Sequence, residues 1–301
     1  MDECVSWAPP ATFELTSRDG QLIRYCMYGP RDGLPVVSHG GSPGTRWKRP
    51  ASIEAIEQAG LRMLVPDRPG YGGSARQYGR SVADAAEDAA RLADAQGWAQ
   101  FAVIGNSGGG PHALACAALL PDRVTRCAVG SGISPPDTSG PLSPDPANPR
   151  RNKTSWLAAR REDAVRPHLA AAASEIMAKV AAGGPEIPPD PTAPEPAPPA
   201  IGDPAAMARL RATFVDSHDG WVDDNIAFAR PWGFQMSSIA VPVSIWYGTH
   251  DATGRAHADW LLSRIPAAAR CEYHGGHIPG DSAYRRMLAW VRSGHTACPD
   301  P

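Results

Sequence analysis

Residues 101–120 constrain this chain more than any other stretch. Phe101-Ala102-Val103-Ile104 is an apolar run of strand length, and Pro111 to Leu120 is rich in Ala and Leu and reads as a helix. Between them stands Gly105-Asn106-Ser107-Gly108-Gly109. This G-x-S-x-G pattern, with a strand before it and a helix after it, is the sequence form of a nucleophile elbow, a turn that lifts the serine hydroxyl above the end of a sheet. Gly105 and Gly109 suit it because a side chain at either place would collide with the neighbouring strand or helix. A phosphate cradle is the competing use of such a turn. No G-x-x-x-x-G-K-[ST] occurs, and no G-x-G-x-x-G opens a helix here.

The surrounding chain alternates strands and helices. Residues 11–15 and 21–28 read as a hairpin around Ser17–Gly20. Leu34 to Ser38, Leu61 to Val65 and 124–130 read as further strands. Helices are expected at 51–59, at 81–97 with Ser81 as its N-cap, and at 111–120. Such alternation implies a parallel sheet with helices on both faces. It stops near Ser131 and resumes at the apolar run 241–247, followed by a helix at 255–265, a strand at 270–273 and a helix at 282–293. The expected organisation is a core of residues 1–132 and 236–301, interrupted by a helical cap insertion at 133–235. Within the insertion, Trp156 to Ala182 reads as helix broken at Pro167. The segment 183–204 is too rich in proline to pack and is expected to be extended and mobile.

A serine needs a base to remove its proton, and the base needs a carboxylate to orient it. In this architecture the acid and then the histidine follow the nucleophile in sequence. His277, in the loop Gly275-Gly276-His277 after the last strand, is the expected base, with His274 as the alternative. Asp251, in the loop after strand 243–247, is the expected acid, with Asp137 as the alternative. Backbone N–H groups of Gly41, in His39-Gly40-Gly41-Ser42-Pro43-Gly44, and of Gly108 are the expected oxyanion donors. His39 reads as structural. Asp67 and Arg68 read as braces for the oxyanion loop. Trp156, Trp221, Phe228 and Trp232 are candidate substrate-binding side chains from the insertion.

The rest of the composition narrows the class. The chain has 301 residues, a net charge of −2 and 43% hydrophobic residues. It carries no long block of like charge, so neither nucleic acid nor a membrane surface is an expected partner, and a small molecule is. No apolar run approaches the length of a bilayer span, and the start has no signal-peptide pattern, so the expected location is the cytoplasm. Six cysteines are scattered without C-x-x-C or zinc spacing. Cys26, Cys116, Cys127 and Cys271 read as small buried hydrophobes.

With the His39–Gly44 loop, Asp67–Ser74, the Ser107 turn, Asp251 and His277 in this order, the chain resembles the α/β-hydrolase superfamily. The resemblance implies an eight-stranded, mostly parallel sheet and a Ser-His-Asp hydrolase that works without metal or organic cofactor. The Gly-Asn-Ser turn and the Gly-Gly-x-Pro-Gly loop are similar to those of meta-cleavage-product C–C hydrolases. Those enzymes usually carry Trp after the histidine, where this chain has Ile278. Proline iminopeptidases have a related loop but a different elbow. The leading expectation is cleavage of a carboxylic ester with a small or medium apolar substrate. C–C or N-terminal peptide cleavage by the same triad is the alternative, and a binding or signalling protein on a hydrolase fold is the alternative from another class.

Overall fold

The computed structural model describes residues 8–17, 20–137, 152–181, 204–215, 217–266, 268–294 and 297–298. Its strands are β1 (Thr12–Thr16), β2 (Leu22–Tyr28), β3 (Leu34–His39), β4 (Leu61–Pro66), β5 (Phe101–Asn106), β6 (Val124–Gly130), β7 (Val243–Gly248) and β8 (Ala269–Tyr273). Its α-helices are α1 (Pro50–Gln58), α2 (Asp84–Ala95), α3 (Gly110–Leu119), α4 (Lys153–Arg160), α5 (Glu162–Ala181), α6 (Pro204–Thr213), α7 (Asp219–Ala229), α8 (Ala252–Leu262) and α9 (Asp281–Ser293). The strands form one sheet in the order β1-β2-β4-β3-β5-β6-β7-β8. The β1–β2 and β2–β4 pairings are antiparallel and the rest are parallel. This is the α/β hydrolase fold expected from the sequence.

Strand residues alternate between two cores, because successive side chains point to opposite faces. Val37, Val103, Val129 and Ile245 pack with α2, α3 and α8 on one face. Val36, Ala102, Ala128 and Trp246 pack with α1 and α9 on the other. Both faces are covered, so the central strands read as continuous apolar runs rather than alternating ones. The register aligns the carboxyl ends: His39 pairs with Gly105, Asn106 with Gly130, Gly130 with Trp246, and Gly248 with Tyr273. Loops carrying Gly41, Ser107, Ser131, Asp251 and His277 therefore all leave the same edge of the sheet, where open α/β sheets place their ligands.

Helices α4 to α7 fall between β6 and β7, inside the span expected for the insertion. Ala158, Val165, Leu169, Val222 and Ile226 give α4, α5 and α7 a small core of their own.

Several local expectations need correction. Helix α2 begins at Asp84, not Ser81. The Ser81 N–H donates to Asp84 Oδ2 at 2.6 Å, so the aspartate carboxylate satisfies the turn that leads in. The break in the insertion falls at Arg161, which is non-helical, and not at Pro167, which lies inside α5 near its start. Glu162 and Asp163 favour a fresh helix there by placing negative charge at its N-terminus. Cys271 is not a free core thiol but forms a disulfide with Cys298, with the two Cα atoms 5.6 Å apart. Cys26, Cys116 and Cys127 are free and buried. Of the proline-rich stretch 183–204, residues 183–203 lie outside the described residues and Pro204 begins α6. Among the described residues no helix is long and apolar enough to cross a membrane.

Candidate active site

The turn after β5 places Ser107 at φ +50°, a left-handed backbone that a non-glycine residue rarely adopts. The strain is held by close packing around it. A Cβ on Gly105 would stand 2.3 Å from the Gly109 carbonyl oxygen, and one on Gly109 would stand 2.1 Å from that of His39. Neither distance is tolerable, so both glycines are obligatory and the turn has no room to relax.

Ser107 Oγ lies 3.0 Å from His277 Nε2, and His277 Nδ1 lies 2.8 Å from Asp251 Oδ2. The Asp251 carboxylate also caps α8, its Oδ1 accepting the Gly254 N–H at 2.7 Å. Burial would raise its pKa. The hydrogen bonds from His277 and Gly254 outweigh that and hold it below the usual carboxylate range, so the group stays ionised. The His277 loop is braced from below. The Tyr273 hydroxyl lies 3.1 Å from the carbonyl oxygens of both Gly276 and His277, and 2.6 Å from Ser131 Oγ. A Cβ on Gly248 would stand 2.2 Å from the Gly276 carbonyl, which fixes how closely β7 meets this loop. The His277 side chain is 45% exposed, open to a substrate or water, while that of Asp251 is 10% exposed. Chemically, the histidine can take the serine proton while the carboxylate stabilises the imidazolium that results.

The alternatives lie elsewhere. The His274 ring packs edge-on against His250, with centroids 4.7 Å apart. It is Asp251, and not the alternative Asp137, that occupies His277 Nδ1. His39 is buried beside Cys116, and burial together with Arg68 pushes its pKa down to about 3, so its ring is neutral.

Gly41 and Gly108 flank the serine. A Cβ on Gly41 would lie 3.7 Å from Ser107 Cβ, and one on Gly108 would lie 2.6 Å from Ser42 Cβ. Arg68 holds the Gly41 loop, donating to the Gly40 and Gly41 carbonyls at 2.7 Å each. The His112 Nδ1–H donates to the Gly108 carbonyl at 3.0 Å. Burial and the nearby Arg68 push the pKa of His112 well below the ordinary histidine value, so it too is neutral.

A residue that sequence reasoning missed ties this loop to the insertion. Asp224, on α7, is fully buried. It accepts from Arg68 and Arg80 at 2.7 Å each, from the Tyr71 hydroxyl at 2.9 Å and from the Ser42 hydroxyl at 2.8 Å. Burial opposes its charge, but Arg68 and Arg80 win, and its pKa is held far below the usual carboxylate range.

The cavity beside Ser107 has a volume of about 420 Å³. The expected aromatic lining is not there. Trp156 lies under the Arg160 guanidinium, Trp221 packs within the helices of the insertion, and Trp232 is buried with its indole N–H donated to the Phe228 carbonyl at 3.0 Å. The Phe228 ring edge lies 3.1 Å from where a Gly108 Cβ would stand, but Phe228 is not among the residues that line the cavity. The wall is instead built from the Gly41–Pro43 loop, Lys48, Arg49, Ser52, Asn106, Ser131, Ile176, Ile278, Pro279 and Tyr284. The two cations were not visible as pocket residues in the sequence.

Fold and site together define a class, an eight-stranded α/β protein with a serine, a histidine and an aspartate in hydrogen-bonded sequence above its sheet. A sequence profile of the α/β hydrolase fold matches residues 35–281, and the chain belongs to that family. Among characterised relatives, a non-heme chloroperoxidase of Streptomyces lividans is 34% identical over 133 residues, 44% of this chain and 48% of the relative. A 2-hydroxymuconate semialdehyde hydrolase of Pseudomonas sp. (strain CF600) is 34% identical over 126 residues, 39% of this chain and 44% of the relative. The chain thus spans about half the length of the curated relatives it matches. A hydrolase from Pseudomonas aeruginosa PA01 has the same fold, with a TM-score of 0.65 at 19% identity over 94% of this chain and 98% of its own.

Proposed function

We propose that the protein is a serine hydrolase that cleaves a carboxylic ester of a small or medium-sized molecule through an acyl-enzyme. The observation that carries this reading is the hydrogen-bonded series from Ser107 to His277 to Asp251, with the serine held at φ +50°. His277 takes the Ser107 proton as Oγ attacks the ester carbonyl. The Gly41 and Gly108 N–H groups stabilise the oxyanion, a contribution of about 3–4 kcal/mol per donor. His277 then gives the proton to the departing alkoxide, and afterwards activates the water that releases the acid. Asp251 keeps the imidazole in the correct tautomer throughout. The insertion α4–α7 serves as a cap, and a small molecule is the expected substrate.

Cleavage of a C–C bond in an acidic diketone is the second reading. It is favoured by the stretch shared with the 2-hydroxymuconate semialdehyde hydrolase and by the cations of the cavity wall. A panel of 4-nitrophenyl esters, amino-acid anilides and vinylogous diketones separates the two. Ester turnover that disappears in Ser107→Ala supports the first reading. Diketone cleavage with kcat/KM well above that of every ester replaces it with the second.

A further inference from the structure

The cavity wall carries an electrostatic imbalance. Lys48 and Arg49 line it, and among its described lining residues there is no aspartate or glutamate. Arg49 is already paired, 3.0 Å from Asp281 at the surface. Lys48 is not. Its half-buried ammonium donates to the Ser38 hydroxyl at 3.2 Å, and among the described residues it meets no carboxylate. An ammonium has three N–H donors, so two are left for something else. Taking a cation out of water without an opposite charge is costly, and burial, with Arg49 adding repulsion, pulls the Lys48 pKa down to about 8. Such a group is tolerated where a ligand supplies the missing charge. The position suits this role. Ser38 is the residue before the end of β3 and lies in register with Ile104, three residues before Ser107. Lys48 and Ser107 both line the one cavity.

We propose that the substrate carries a carboxylate in addition to the bond that is cleaved, and that Lys48 is the residue that binds it, with Arg49 on the same wall. The inference rests on Ser107 being the nucleophile but not on which bond it attacks. It adds a carboxylate to the small or medium apolar substrate expected from the sequence. The wall carries the polar Ser42, Ser52, Asn106 and Ser131 together with the apolar Ile176, Ile278 and Pro279, so it can take an apolar body as well as a charged end. The substrate class that fits is a half-ester or keto acid with its carboxylate a few atoms from the reacting carbonyl.

The test is the rate at which a fluorophosphonate labels Ser107, measured with glutarate or its neutral isostere glutaramide, in the wild type, Lys48→Met and Lys48→Arg. Glutarate should slow labelling of the wild type and glutaramide should not. Lys48→Met should need about tenfold or more glutarate for the same protection, and Lys48→Arg should restore part of it. Glutarate protection that is absent, or equal in wild type and Lys48→Met, overturns the proposal. If no protein labels at all, it is the serine-hydrolase reading that fails. Calorimetric titration of glutarate into Ser107→Ala, with and without Lys48→Met, then decides the carboxylate site by itself: binding that depends on Lys48 supports it, and its absence overturns it.

Discussion

Replacing Asp224 by Asn keeps the shape of the side chain and removes its charge. Two guanidiniums, 6% and 3% exposed, then lose the carboxylate they share. Breaking a buried pair by removing one partner costs about 3–5 kcal/mol. The single-pair figure applies, because Arg68 keeps its two carbonyl acceptors at Gly40 and Gly41. At about 2 °C per kcal/mol for a chain of this size, Tm should fall by roughly 6–10 °C in scanning calorimetry at pH 7. The pH dependence has a definite sign. The folded pKa of Asp224 is depressed, so its contribution is complete above the unfolded carboxylate value of about 3.9 and is lost as pH falls below it. The gap between wild type and Asp224→Asn should therefore be widest at pH 5 and above and should narrow below pH 4. Because Arg68 also holds the Gly41 loop, kcat should fall more than KM rises, by up to the roughly 100-fold that loss of one oxyanion donor costs. A Tm within 2 °C of the wild type at pH 7, or a gap that widens in acid, would refute the assignment of Asp224 as the counter-ion of this cluster.

Other perturbations probe separate parts of the site. His277→Ala should reduce kcat by several powers of ten while His274→Ala, altering a ring packed on His250, should leave kcat within about threefold; steady-state kinetics of the two purified variants decide this. A Cβ at position 254 would stand 2.2 Å from Asp251 Oδ2, so Gly254→Ala should displace the carboxylate and lower kcat about 10- to 100-fold with a small change in Tm, as activity and calorimetry on one preparation would reveal. Thiol titration in denaturant, on protein purified without reductant, should find two fewer thiols than the six cysteines of the sequence; six would show that Cys271 and Cys298 are not paired.

The parts of the fold that were legible in the sequence are those encoded locally. Strands β3 to β7 are short apolar runs because both of their faces are covered, and each ends in a turn residue or a helix start. Ser107 announces itself through glycines that sterics make obligatory. His277 and Asp251 could be found because chain order and loop position after a strand restrict the choices to a few residues. Asp224 was not legible for the opposite reason. Nothing local marks Asp223 and Asp224, and only the fold brings Arg68, Arg76 and Arg80 against them from about 150 residues away. Lys48 and Arg49 likewise carry no local mark, since nothing nearby in the chain states that a cavity opens beside them. The insertion's aromatics were misleading because large apolar side chains serve the interior of a helical layer as readily as a pocket. Their spacing carries no mark of which they do.

The most direct test is to ask whether Ser107 alone becomes covalently modified. Intact-mass and peptide analysis after treatment with a fluorophosphonate should find one adduct, on the peptide containing Ser107. The adduct should be absent in Ser107→Ala, and its rate of formation should fall by orders of magnitude in His277→Ala, which lacks the base 3.0 Å from the hydroxyl. An adduct on another residue, or equally fast labelling of Ser107 without His277, would contradict the assignment of Ser107 and His277 as nucleophile and base.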